Sequence, residues 1–79
     1  MPKWTSRGDE MRPNNVKLER VKADLSQAQL ADLTGITQER LSRIETGRVK
    51  LPNVYECQRI GIALGLTVEY LFPMKKAPI

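Results

Sequence analysis

Between Ile36 and Gly47 the chain reads ITQERLSRIETG, a stretch dense in side chains that make directional hydrogen bonds. Wound as a helix at about 100° per residue, it sends Leu41 and Ile44 in one direction. Glu39, Ser42, Arg43 and Thr46 project the opposite way, with Gln38 at one border of that row and Arg40 at the other. Such side chains match the edges of base pairs: glutamine bonds bidentately to adenine, arginine to guanine, and glutamate accepts from the cytosine amino group. A carboxylate at position 39 works against plain attraction to phosphate, so the row suits discrimination among bases better than electrostatic adhesion. The alternative is an ordinary solvated helix face.

The surrounding elements decide between the two. Ser26-Gln27-Ala28-Gln29 has the form of a capping box, in which the serine hydroxyl takes an N–H three residues on and the glutamine reaches back. The helix it opens runs through Leu30, Ala31 and Leu33 and stops at Gly35, where a left-handed conformation is cheapest for glycine. Ile36 plugs the turn, Thr37 caps the next helix, and Ala31 is small where the two helices cross. Gln27 stands at an N-terminus whose free N–H groups and dipole attract an anion, so it is expected to hold a phosphate. Arg48 and Lys50, after Gly47, are candidates for a second phosphate clamp. Glu45 projects beside the core-facing stripe. A carboxylate there needs a partner, and Arg20 in the preceding helix is the expected one.

Further out, Asn14 or Asn15 caps a first helix whose apolar stripe is Leu18, Val21 and Leu25, with Asp24 in the turn that ends it. Pro52 suits the start of a fourth helix presenting Val54, Cys57, Ile60, Gly61 and Leu64, which ends at Gly65. Thr67 caps a last short helix with Val68, Leu71 and Phe72, closed by Pro73. Nothing alternates with period two. The expected fold class is all-α: a flexible arm at 1–13 carrying Trp4, a five-helix domain at 14–73 and a tail at 74–79.

Seventy-nine residues with a formal charge of +4 and a pI near 9.6 make one small domain that leans toward a polyanionic partner. With no histidine and one cysteine, the usual zinc ligand sets and nucleophile–histidine catalysis are out of reach. Acid/base pairs, metal clusters and phosphate-cradling glycine loops do not appear, so the expectation is no enzyme, no cofactor and no metal. No apolar run approaches the roughly 20 residues of a membrane span, and the N-terminal stretch has no apolar core of the kind a secretory signal needs. A cytoplasmic location, prokaryotic or phage-encoded and nucleoid-associated, is expected. Cys57 is expected to be a small buried apolar residue.

The segments LSQAQLADLTGITQERLSRIETGRVKLP (25–52) and IALGLTVEYLF (62–72) resemble the Cro/repressor-type helix-turn-helix family, the Xre-like or lambda-repressor-like group, over roughly 15–73. The resemblance implies a compact five-helix lambda-repressor-like domain with its helix-turn-helix at helices 2 and 3. Helix 38–46 is then the one that enters the major groove. It implies that Gln27 contacts phosphate, that Thr37, Gln38, Glu39, Ser42 and Arg43 face DNA, and that Arg20 and Glu45 form an interhelix ion pair. Two positions depart from the family pattern: Glu19 replaces a frequent aliphatic residue and Asp24 a frequent glycine. The arm 1–13 has no counterpart in it.

The expected function is a sequence-specific double-stranded DNA-binding transcriptional regulator, a repressor, that occupies an operator as a homodimer on half-sites about one DNA turn apart. Tyr70 and Phe72 are candidates for the dimer surface; the alternative is that Phe72 caps the core and Tyr70 is incidental. The alternatives are the antitoxin of a toxin–antitoxin pair, a restriction–modification controller protein, a regulator that touches polymerase, and a protein-interaction module without DNA binding.

Overall fold

The computed structural model describes residues 13–49 and 51–73; Lys50, Trp4 with the rest of the arm up to residue 12, and the tail 74–79 lie outside the described residues. Five helices account for the regular structure of the described part: α1 Val16–Lys22, α2 Gln27–Thr34, α3 Gln38–Glu45, α4 Val54–Leu64 and α5 Val68–Leu71. No strand occurs among the described residues, in line with the all-α expectation. None of these helices is long and apolar enough to cross a membrane.

Each of the last four helices starts on a side-chain cap. Ser26 Oγ accepts from the Gln29 N–H at 3.0 Å while Gln29 Oε1 accepts from the Ser26 N–H at 2.8 Å, closing the anticipated box. Thr37 Oγ1 accepts from the Arg40 N–H at 3.2 Å and Thr67 Oγ1 from the Tyr70 N–H at 3.1 Å. Asn53 is the cap of α4, one residue after Pro52, and it forms a second reciprocal box with Glu56. The two asparagines ahead of α1 do more than start a helix. Asn14 Oδ1 accepts from the Val16 N–H at 3.0 Å while its Nδ2 donates to the Ile44 carbonyl at 2.8 Å. Asn15 Nδ2 donates to the Tyr70 carbonyl at 2.6 Å. The start of α1 is thereby tied to the ends of α3 and α5.

Val16, Leu30, Leu41, Ile44, Ile60 and Leu71 are fully buried, and Ala31, Ile36, Cys57 and Phe72 complete the core. Leu41 and Ile44 point inward as the helical projection requires, so the opposite side of α3 is free to be polar. Several apolar positions depart from expectation. Val21 is 58% exposed, because Arg20 takes the inward direction that the Leu18–Val21–Leu25 stripe would have used. Leu33 and Val54 are also exposed. Phe72 is buried, so it belongs to the core and not to a free dimer surface. Tyr70 Oη donates to Glu19 Oε2 at 2.5 Å, and Lys22 approaches the same oxygen at 3.4 Å. The carboxylate at position 19, where an aliphatic residue was the norm, thus ties α1 to α5 by polar contacts.

Among the described residues Asp24, Gly35, Gly47 and Gly65 take the positive φ that most residues avoid. Asp24 has φ +63°, which aspartate tolerates, so it serves in place of the frequent glycine. Gly47 has φ +85° and closes α3 in a Schellman arrangement: the Arg48 N–H donates to the Arg43 carbonyl at 2.9 Å and the Gly47 N–H to that of Ile44 at 3.2 Å. A Cβ on Gly47 would also come within 2.9 Å of the Pro13 Cβ. Gly47→Ala should therefore cost at least the ~1–2 kcal/mol of left-handed strain. In a domain of this size that lowers the thermal midpoint by roughly 4–8 °C per kcal/mol. A midpoint unchanged in calorimetry would show that the α3 terminus relaxes freely.

Candidate nucleic-acid interface

The turn Gly35–Thr37 sets α3 against α2, and the core anchors Leu41 and Ile44 fix its rotation. Gln38, Glu39 and Arg43 are exposed and Ser42 is half-buried. These four line one open depression together with Gln27 from the start of α2 and Arg48 from the loop after α3. Six residues singled out in the sequence thus converge on one surface. Thr37 is exposed beside them, at the N-terminus of α3. Lys50 lies outside the described residues.

Within the row, Arg43 Nη2 donates to Glu39 Oε2 at 3.0 Å, one helical turn back. Both side chains are more than half exposed. A glutamate four residues ahead of a cation on an exposed face is worth only about 0.2–0.5 kcal/mol. A ligand can separate the pair at little cost, or engage it as a unit with one donor fork and one acceptor.

Behind the row lies a buried charge. Arg20 Nε donates to Glu45 Oε2 at 2.7 Å and Arg20 Nη2 to Glu45 Oε1 at 3.2 Å, while Arg20 Nη1 donates to the Leu25 carbonyl at 2.8 Å. The side chains are 11% and 2% exposed. Glu45 has a third donor, Gln27 Nε2 at 3.1 Å, and Gln27 Oε1 in turn accepts from Gln38 Nε2 at 3.4 Å. The interhelix pair expected from the inward carboxylate is present, and it continues into the open depression through two glutamines.

Arg40 departs from the expected nucleic-acid-facing set. Its guanidinium forks onto Glu56 of α4, with Nε–Oε2 at 2.8 Å and Nη2–Oε1 at 2.9 Å. It lies at the border of the row, as projected, but turns toward the neighbouring helix. Glu56 therefore has two tasks, the α4 cap and the α3–α4 clip. The Arg40 hydrogen bonds hold the Glu56 carboxyl below its ordinary range, and the Asn53 N–H adds to this against the opposing effect of burial. The same carboxylate raises the Arg40 guanidinium. Arg59 was also absent from the sequence reading: its Nη1 donates to the Thr34 carbonyl at 3.1 Å, and its guanidinium carbon stands 4.6 Å from the Tyr55 ring centroid. It closes the C-terminus of α2 from outside. Burial, and next the Glu56 charge, push the Cys57 thiol up, consistent with a small inert core residue.

A family model described as a helix-turn-helix matches residues 16–71. The chain belongs to this helix-turn-helix family, the lambda-repressor-like group. It is a DNA-binding helix-turn-helix regulator. In helix-turn-helix terms α2 is the first helix of the motif and α3 the second. The match also takes in α1, α4 and α5, which supply the buried charge, the Arg40 clip and the cover over the core.

The spacing Asn53-x-x-Glu56 carries a capping-box signal that the assignment of the helix start to Pro52 passed over, whereas the Arg40–Glu56 contact has no such local signal, because it depends on how two helices cross. Its pH dependence has a definite sign. Glu56 titrates below its unfolded value, so the clip stabilises the fold at neutral pH and that contribution fades as pH falls through the folded value. Glu56→Gln preserves a capping partner but removes the charge. The variant should melt below wild type at pH 7, with the gap shrinking toward acid and with added salt. A gap constant from pH 7 to pH 3 would assign the loss to packing instead.

Proposed function

We propose that the protein is a sequence-specific double-stranded DNA-binding transcriptional regulator that lays α3 in the major groove and acts as a repressor by occupying its operator. One observation carries this reading: Gln38, Glu39 and Arg43 are exposed, with the half-buried Ser42 among them, opposite the buried Leu41 and Ile44, on the second helix of a helix-turn-helix. Each side chain has a base-edge partner by chemistry. Gln38 matches adenine, Arg43 matches guanine, Glu39 accepts from the cytosine amino group and Ser42 suits either purine or pyrimidine edges.

Affinity comes from the rim. The first N–H groups of α2 have no partner within the helix, and with the Gln27 side chain beside them they suit a phosphate. Arg48 at the other end of the depression, with Lys50 two residues on, suits a second. Thr37 stands where its hydroxyl can add to the contacts at the start of α3. Arg40 is left out of the reading set, since Glu56 holds its guanidinium. Binding as a homodimer on inverted half-sites about one helical turn apart is the arrangement that motifs of this kind use. A cytoplasmic, nucleoid-associated location follows from this reading.

The test compares two arginines on one bound duplex and its single-base variants. Arg43→Ala should cost about 1–3 kcal/mol and relax preference at one base pair. Arg48→Ala should weaken every duplex alike and reduce the log–log salt slope by about 1. If Arg43→Ala lowers affinity equally for all sequences, the base-reading role is wrong.

A further inference from the structure

The buried pair and the open row are joined by an ordered chain of hydrogen bonds whose direction is dictated at its buried end. An ionised carboxylate only accepts hydrogen bonds. Glu45 Oε1, already accepting from Arg20, therefore requires the nitrogen of the Gln27 amide, which it meets at 3.1 Å. That choice leaves Gln27 Oε1 pointing away from Glu45, where it requires a donor, and Gln38 Nε2 supplies one at 3.4 Å. Gln38 is left with its carbonyl oxygen and one remaining N–H for a ligand. One acceptor beside one donor is the complement of adenine in the major groove, whereas guanine offers two acceptors.

We propose that Glu45 is a positioning residue for base recognition: through Gln27 it fixes which amide atom of Gln38 faces outward, and so sets adenine over guanine at that base pair. This rests on the reading of Gln38 as a base contact. The geometry defines how the device fails. In Glu45→Gln the new amide keeps the stronger Arg20 Nε bond with its oxygen, gives up the Arg20 Nη2 bond made at Oε1, and turns its NH2 from that place toward Gln27. Gln27 then presents its oxygen inward and its NH2 to Gln38, and Gln38 must accept from it. Gln38 would be left with two outward N–H groups, the complement of guanine. Glu45 itself stays buried and never touches DNA.

Two readouts test this. In duplexes selected from a random pool, Glu45→Gln should shift the Gln38 base pair from adenine toward guanine by about tenfold or more, the scale of one bidentate contact. The shift should vanish in a Gln38→Ala background. In the free protein, the Gln38 side-chain NH2 resonances should move in Glu45→Gln. Should that variant fail to fold, Gln27→Met leaves the ion pair intact, severs the chain, and should move the same resonances and relax the same base preference. Unmoved Gln38 resonances in a wild type that does select bases would overturn the proposal alone. A wild type with no base preference would overturn the function reading and the recognition role with it.

Discussion

The fold turns on one buried carboxylate. Glu45 stands one residue after the core anchor Ile44, and its helix cannot rotate enough to bring it to water without exposing Leu41 and Ile44. An unpaired charge in that place would cost several kcal/mol, so the chain must bring a cation to it. Arg20 does so from α1, using the inward direction that Val21 gives up. Pairs of this kind add modest net stability over an apolar substitute, yet breaking one is costly, so their main effect is to specify arrangement. Here the arrangement is the docking of α1 on α3 and, through the same carboxylate, the placement of Gln27 at the start of α2. Asn14, bridging the start of α1 to the Ile44 carbonyl, repeats the constraint from the other end of α1.

The distribution of charge over the two helix-turn-helix helices follows from these ties. Of the arginines near α3, Arg20 and Arg40 are held by Glu45 and Glu56 and serve as clips to α1 and α4. Among the described residues Arg43 is paired with the exposed Glu39, and Arg48 sits beyond the turn at Gly47. Cations fixed in rigid forks do structural work, and those on open surface remain available to a ligand. A formal charge of +4 would not predict this division.

The division also marks where the sequence was legible. The row on α3 could be read because helical periodicity sorts residues by direction, and Leu41 and Ile44 leave one inward side. The Arg20–Glu45 pair could be read because a carboxylate beside a core stripe demands a partner. Asp24 was legible as turn chemistry, and its φ of +63° is the conformation expected of it. Arg40 was misread because its partner lies 16 residues on, in a helix whose crossing with α3 no local pattern encodes. Val21 was misread because apolar spacing was taken to outrank a charge. Phe72 was left open between the core and a dimer surface because a four-residue helix has too little period to tell inward from outward. In each case the deciding interaction was tertiary and polar.

The proposed function reduces to one physical requirement: the outward side of α3, where Gln38, Glu39 and Arg43 are exposed, must meet base-pair edges. The most direct measurement is the selection of duplexes by the unmodified protein from a random pool at low and at high salt. The account requires one short motif, recurring as inverted copies about one helical turn apart. Its enrichment over the pool must survive the higher salt even as total binding falls. A pool that emerges unenriched at both salts, or duplex binding that disappears with salt regardless of sequence, would contradict it.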